Sequence, residues 1–171
     1  MPLFLPHITP LALYDGEPGN AAAQTLTANN AYFVGVTLYS NATLTGVRVK
    51  FTTGGAGNYD VGIYSDNSGA PGTLLAHAAA TITSLATSTA VLTPALIGGN
   101  LPLAPGRYWL ALWTSNSATD KVSGYNSATT MVVSQTGANG SNVLPTSAST
   151  ITPANTQFKP FLEGILLGGW S

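Results

Sequence analysis

The sequence predicts an all-β chain, and three observations carry that expectation. Apolar and polar residues alternate with a period of two across Thr43–Thr53 and Tyr59–Ser65. Clusters of Gly, Pro, Asn, Asp and Ser separate such runs at spacings of roughly 8–15 residues. No stretch sustains the 3.6-residue period of an amphipathic helix.

Residues 1–20 read as an extended arm. Pro2, Pro6 and Pro10 deny ladder donors and break a helix. The arm is nonetheless apolar, with Leu3, Phe4, Leu5 and Ile8. Residues 21–171 are left for one β domain. Its first strand is expected at Ala31–Tyr39, with Tyr32, Val34, Val36 and Leu38 opposite Phe33, Gly35, Thr37 and Tyr39. In Thr43–Thr53, Thr45, Val47, Val49 and Phe51 should face inward, and Arg48 and Lys50 outward. In Tyr59–Ser65, Tyr59, Val61 and Ile63 alternate with Asp60, Gly62 and Tyr64, which puts Asp60 on a polar face.

Asp66–Gly72 reads as a loop, with Pro71-Gly72 suited to a type II turn. Thr73–Ala80 and parts of Thr81–Thr93 read as weaker strands, although His77–Ala80 also suits a helical turn. Arg107–Thr114 is apolar on both faces, as a central strand or one meeting a second layer or a partner must be. Ser115–Thr129 is a polar loop, Met131–Gln135 a short strand, and Thr136–Asn155 a long Gly/Ser/Asn/Thr stretch. Phe158–Leu167 closes the fold. The sum is a single β-sandwich of about eight strands, jelly-roll-like, with an extended N-terminal arm. An immunoglobulin-like sandwich is the alternative.

A length of 171 residues with 44% apolar content supports one domain with a real core. Charged residues make up 6%, where roughly 25% is usual. A monomer with so few charges has little to keep it dispersed, which favours a subunit covered by neighbours. Five cations, Arg48, Lys50, Arg107, Lys121 and Lys159, are too few and too scattered for nucleic-acid binding. The chain has no cysteine, which excludes disulfides and thiolate chemistry. The N-terminus lacks the basic region of a signal peptide, and no run reaches a membrane span of about 20 residues.

Chemistry-bearing residues are sparse. The acids are Asp15, Glu17, Asp60, Asp66, Asp120 and Glu163. Asp15 and Glu17 share a Gly/Pro turn and read as turn chemistry. Asp66 opens an Asp-Asn-Ser-Gly turn that lacks the spaced acids of an EF-hand; a cation site with one Asp and backbone carbonyls is the functional alternative. His7 and His77 belong to no metal-binding spacing, and no G-x-S-x-G or phosphate-binding loop occurs. The expectation is therefore no enzyme, no metal and no cofactor. Tyr14, Tyr39, Trp113, Tyr125 and Trp170 stand near strand ends or in polar surroundings, where a ring could stack on a sugar; Tyr125 is the best candidate. Trp109, Tyr108 and Phe51 read as core.

Two stretches, YDVGIYSDNSGAPGTLLA and LPLAPGRYWLALW, together resemble a β-sandwich pattern of bacteriophage virion proteins and some bacterial surface proteins. The matching residues are Ile63, Tyr64, Ser65, Asp66, Gly69, Pro71 to Ala76, Gly106 and Tyr108 to Leu112, within residues 43–114. The chain departs from fibre proteins in having no coiled-coil stem and no repeated shaft motif. The resemblance implies a non-enzymatic virion component, made in the host cytoplasm. Its role would be capsid decoration on the major capsid protein, as a homo-oligomer and by family a trimer. The rival role is a tail-associated receptor module that binds surface glycans. The expected assembly interface is Leu3, Phe4, Leu5 and Ile8 of the arm, with Phe161, Leu162, Ile165 and Trp170 of the closing strand and tail.

Overall fold

The computed structural model describes residues 23–53, 58–78, 82–83, 90–92, 96–115, 121–123, 132–135, 144–149, 151–153 and 160–166. Every element is a strand. They run β1 Ala23–Thr25, β2 Ala31–Leu38, β3 Ala42–Thr53, β4 Asn58–Asn67, β5 Ala70–His77, β6 Ile82–Thr83 and β7 Ala90–Leu92. There follow β8 Leu101–Leu103, β9 Gly106–Thr114, β10 Lys121–Ser123, β11 Val132–Gln135, β12 Ile151–Pro153 and β13 Pro160–Leu166. All pairings are antiparallel. One sheet is built around β3 in the order β1-β10-β3-β13, with β7 and β8 also on β3. The other has the order β12-β11-β2-β9-β4-β5, with β6 on β4. Among the described residues no helix is long and apolar enough to cross a membrane.

The main strands lie where the alternation placed them, and the connections differ. The expected loop Asp66–Gly72 is a two-residue hairpin. Asn67 pairs with Ala70, and Ser68 and Gly69 turn the chain at φ of 53° and 90°. Both central residues at positive φ give the turn whose twist matches the flanking strands. Pro71 and Gly72 lie in β5 and form no turn. His77 ends β5 as strand, not helix. The polar stretch after Ser115 holds β10, and the long Ser/Gly/Asn stretch holds β12. In β3, Glu163 pairs with Gly46 and Gly164 with Leu44, so Thr45 is the extra residue of a bulge. The bulge shifts parity: Leu44 and Val47 enter the core, and Thr45 is only half-buried.

Chain length forces the second sheet to close. Ser147 bridges Thr73 on the outer edge of β5, flanked by Leu74 N–H to Thr146 O (2.9 Å) and Ala148 N–H to Gly72 O (3.0 Å). Four residues later, Ile151 pairs with Gln135 at the opposite edge of the same sheet. In a flat sheet these positions would lie six strand spacings apart, about 29 Å. The intervening chain reaches at most about 14 Å. The sheet must therefore curl until its edges meet. Residues 146–148 run antiparallel to β5 and residues 151–153 antiparallel to β11, so β11, β2, β9, β4, β5 and this closing segment complete an antiparallel barrel.

Two apolar clusters identify its inside and outside. Tyr32, Val34 and Leu38 of β2, Tyr59, Val61 and Ile63 of β4, and Leu110 and Leu112 of β9 pack with Leu44 and Val47 of β3 and Leu103 of β8. This cluster lies between the barrel wall and the other sheet. The second cluster holds Ala31, Phe33, Tyr64, Trp109, Ala111, Trp113 and Leu144, with Leu74 and Ala148 against it. It is the barrel interior. Large and small residues meet in register there: Ala31 is beside Trp113, Ala111 lies between Phe33 and Gly62, and Trp109 lies between Gly35 and Tyr64. A narrow barrel is filled in this way. Phe33 and Tyr64 meet edge to face, with centroids 5.1 Å apart.

Gly62 shows how tight the filling is. A Cβ there would lie 2.7 Å from the Ala76 carbonyl oxygen and 2.8 Å from Leu144 Cδ1. Gly62→Ala is expected to cost about 1–3 kcal/mol by overpacking. Chemical denaturation with the slope unchanged checks this.

Candidate functional site

The described polar groups that bear chemistry gather at the two ends of the barrel interior. At one end is Asp60, in register with Trp113 of β9. It is 2% exposed, so its expected place on a polar outer face is corrected. The alternation was right, but the face opposite Val61 and Ile63 is enclosed. Asp60 Oδ2 accepts the Leu144 N–H at 2.8 Å, and His77 Nδ1 lies 2.9 Å from the same oxygen. Asp60 Oδ1 is buried and has no hydrogen-bond partner among the described residues. The His77 side chain is 23% exposed and joins this carboxylate to the surface.

Beside it, Tyr64 donates its hydroxyl to the Pro145 carbonyl. Burial pushes the phenol far above its usual range, and the Asp60 charge adds to the push. Tyr64 thus remains a donor at any ordinary pH. Leu144 N–H and Pro145 C=O of the closing segment are held by Asp60 and Tyr64, the inward residues of β4 on either side of Gly62.

At the other end, Asp66 ties the hairpin to the middle strand. Its Oδ1 accepts the Trp109 indole N–H at 2.7 Å, and its Oδ2 accepts the Gly69 N–H at 3.0 Å. Arg107 Nε lies 3.5 Å from Oδ1, and its guanidinium lies over the Trp109 ring, 4.8 Å from the centroid. A Cβ on Gly35 would approach Arg107 Nη2 to 3.1 Å, so the bare backbone leaves room for the arginine. Ser65 Oγ accepts the Thr73 N–H across the hairpin. Burial pushes the Asp66 carboxyl up, but the Gly69 N–H, the indole N–H and the Arg107 charge together hold it below its usual value.

Asp66 is thus fully engaged in joining turn, strand and ring, and its oxygens face donors. Among the described residues no group of three or more His, Cys, Asp or Glu side chains comes together. Of the candidate stacking rings, Trp113 is corrected: it is fully buried inside the barrel. Tyr39 is 88% exposed. Tyr14, Tyr125 and Trp170 lie outside the described residues, as do Leu3, Phe4, Leu5 and Ile8 of the arm. Phe161, Leu162 and Ile165 belong to β13, which pairs with β3 from Pro160↔Val49 to Leu166↔Ala42; their side chains are outside the described part. Sequence reasoning missed the Asp60–His77 contact. Its one signal was an Asp facing the same side as Gly62 and Tyr64, with a strand apolar on both faces nearby.

No family model matches the chain, and no curated protein or solved structure matches it significantly.

The Asp66 arrangement fixes a pH dependence. Its carboxyl is held below the value in the unfolded chain, about 3.9. The folded state therefore binds the proton less well, and the stability this contributes is full above that value and lost as pH falls through the lowered folded value. Asp66→Asn should be less stable than the parent at neutral pH, with the difference narrowing below about pH 4. Denaturant midpoints measured from pH 2 to 7 check this; a difference constant over that range refutes it.

Proposed function

We propose that this chain is a non-enzymatic structural protein of a phage virion, a decoration protein that binds the outer capsid surface as a homo-oligomer. The observation that carries this reading is the use made of the motif residues. Ile63 and Tyr64 fill the two cores, and Ser65, Asp66 and Gly69 lock the hairpin. Tyr108 to Leu112 form the strand shared by both cores. The stretches that resemble virion proteins thus serve to build a rigid body, and both described carboxylates are engaged in the same work. A chain with 6% charged residues gains from a lattice that covers its surface. The two sheets sharing a core support a jelly-roll-like sandwich in which one sheet is additionally closed. The trimeric state follows the resemblance.

Purified protein mixed with undecorated capsids should bind to saturation at micromolar concentration, read as copies per capsid. Deleting residues 1–12 should weaken that binding at least tenfold while leaving the melting temperature of the free protein unchanged. Absence of binding by a folded parent protein overturns the reading. A truncation that unfolds the free protein assigns the arm to its own core.

The second reading, a glycan-binding receptor module, is favoured by the exposed ring of Tyr39. Under it, host-cell adsorption falls in Tyr39→Ala or Tyr125→Ala while capsid binding does not change.

A further inference from the structure

The seams of the barrel wall are unequal. β2 and β9 stay in register from Ala31↔Trp113 to Leu38↔Gly106, and β4 and β9 from Tyr59↔Thr114 to Ser65↔Tyr108. The seam between β5 and residues 144–149 is held, among the described residues, by two backbone hydrogen bonds about the Thr73–Ser147 bridge. Two side chains of β4 add to it: Asp60 accepts the Leu144 N–H and Tyr64 donates to the Pro145 carbonyl. Local opening starts where backbone pairing is thinnest.

The anchor has a built-in weakness. Asp60 is buried, yet its Oδ1 has no donor among the described residues. A buried carboxylate oxygen without a hydrogen bond costs free energy that access to water relieves. Lifting Leu144 away opens the carboxylate to water, because the Leu144 side chain lies over Gly62 and its N–H caps the carboxylate. Closed, the segment shields Trp109 and Trp113. Released, it frees the edge of β5 at Gly72–Leu74 for pairing.

We propose that residues 144–149 are a releasable strap, latched by Asp60, and that the barrel opens along this seam while β2, β9 and β4 stay paired.

Hydrogen exchange on the full chain tests this. The amides of Leu74, Leu144 and Ala148 should exchange about a hundredfold faster than those of Leu110 and Leu112 in the central strand. Asp60→Ala should speed the strap amides at least a further tenfold and leave the β9 amides unchanged. A lock provides an arm that does not depend on Asp60 variants folding. Thr73 and Ser147 form a pair not directly hydrogen-bonded to each other, where Cα atoms lie about 4.5 Å apart, within disulfide range. Both are exposed, and the chain has no other cysteine. Thr73→Cys with Ser147→Cys, when oxidised, should slow the strap amides to the rate of β9, and reduction should restore them. The proposal is overturned if strap and β9 amides exchange at one rate in the parent protein. It is equally overturned if the disulfide leaves the strap rates unchanged, or if Asp60→Ala speeds both sets alike.

Discussion

The reach of the chain between Ser147 and Ile151 is the constraint on which the architecture depends. Four peptide units cannot bridge the opposite edges of an open sheet. Once the edges meet, one face of β2, β4 and β9 becomes an interior, and everything on it must fit a fixed volume. The Trp113/Ala31 and Trp109/Gly35 neighbours are the response, each large ring set beside a residue with little or no side chain. Closure also fixes register. A slip by one residue between β4 and β9 would put Leu110 and Leu112 inside and turn both tryptophans out. The interior and the intersheet core therefore specify each other.

The strands were legible because period-two alternation is a local property. Tyr59, Val61 and Ile63 do share a core face, and the double apolar character of Tyr108 to Trp113 marked the strand with a core on each side. The turn was less legible because two signals competed. Pro71-Gly72 suits a turn in isolation, but Ser68-Gly69 lies where the paired strands need positive φ at two successive positions. The β3 bulge left no local trace. Thr45 fits the alternation with Val47, and only the pairing of Gly46 and Leu44 with β13 reveals the extra residue.

The polar sites were hidden for a different reason. Whether Asp60 faces water depends on a segment 84 residues away in sequence. Its neighbours Val61 and Gly62 read as those of any half-exposed strand. Leu144 and Pro145 sit in a run of Gly, Ser, Asn and Thr whose composition signals a loop, and two buried residues do not alter such an average. Trp113 was misplaced by the same logic: a ring at a strand end beside Thr114 and Ser115 looks exposed until a wall closes over it.

The choice of an acid at position 60 follows from the two groups it must serve. An amide oxygen could accept the Leu144 N–H equally well, and burying a charge costs more than burying an amide. The carboxylate does two further things. It offers the oxygen that stands 2.9 Å from His77 Nδ1, which ties β4 to the end of β5. Its charge also opposes ionisation of Tyr64, adding to the burial that already keeps the phenol a donor to Pro145. One residue thus presents an acceptor to the N–H of Leu144 and reinforces the donor for the C=O of Pro145. The two polar groups flanking that peptide unit demand opposite partners, and one face of β4 supplies both, an acceptor at Asp60 and a donor at Tyr64.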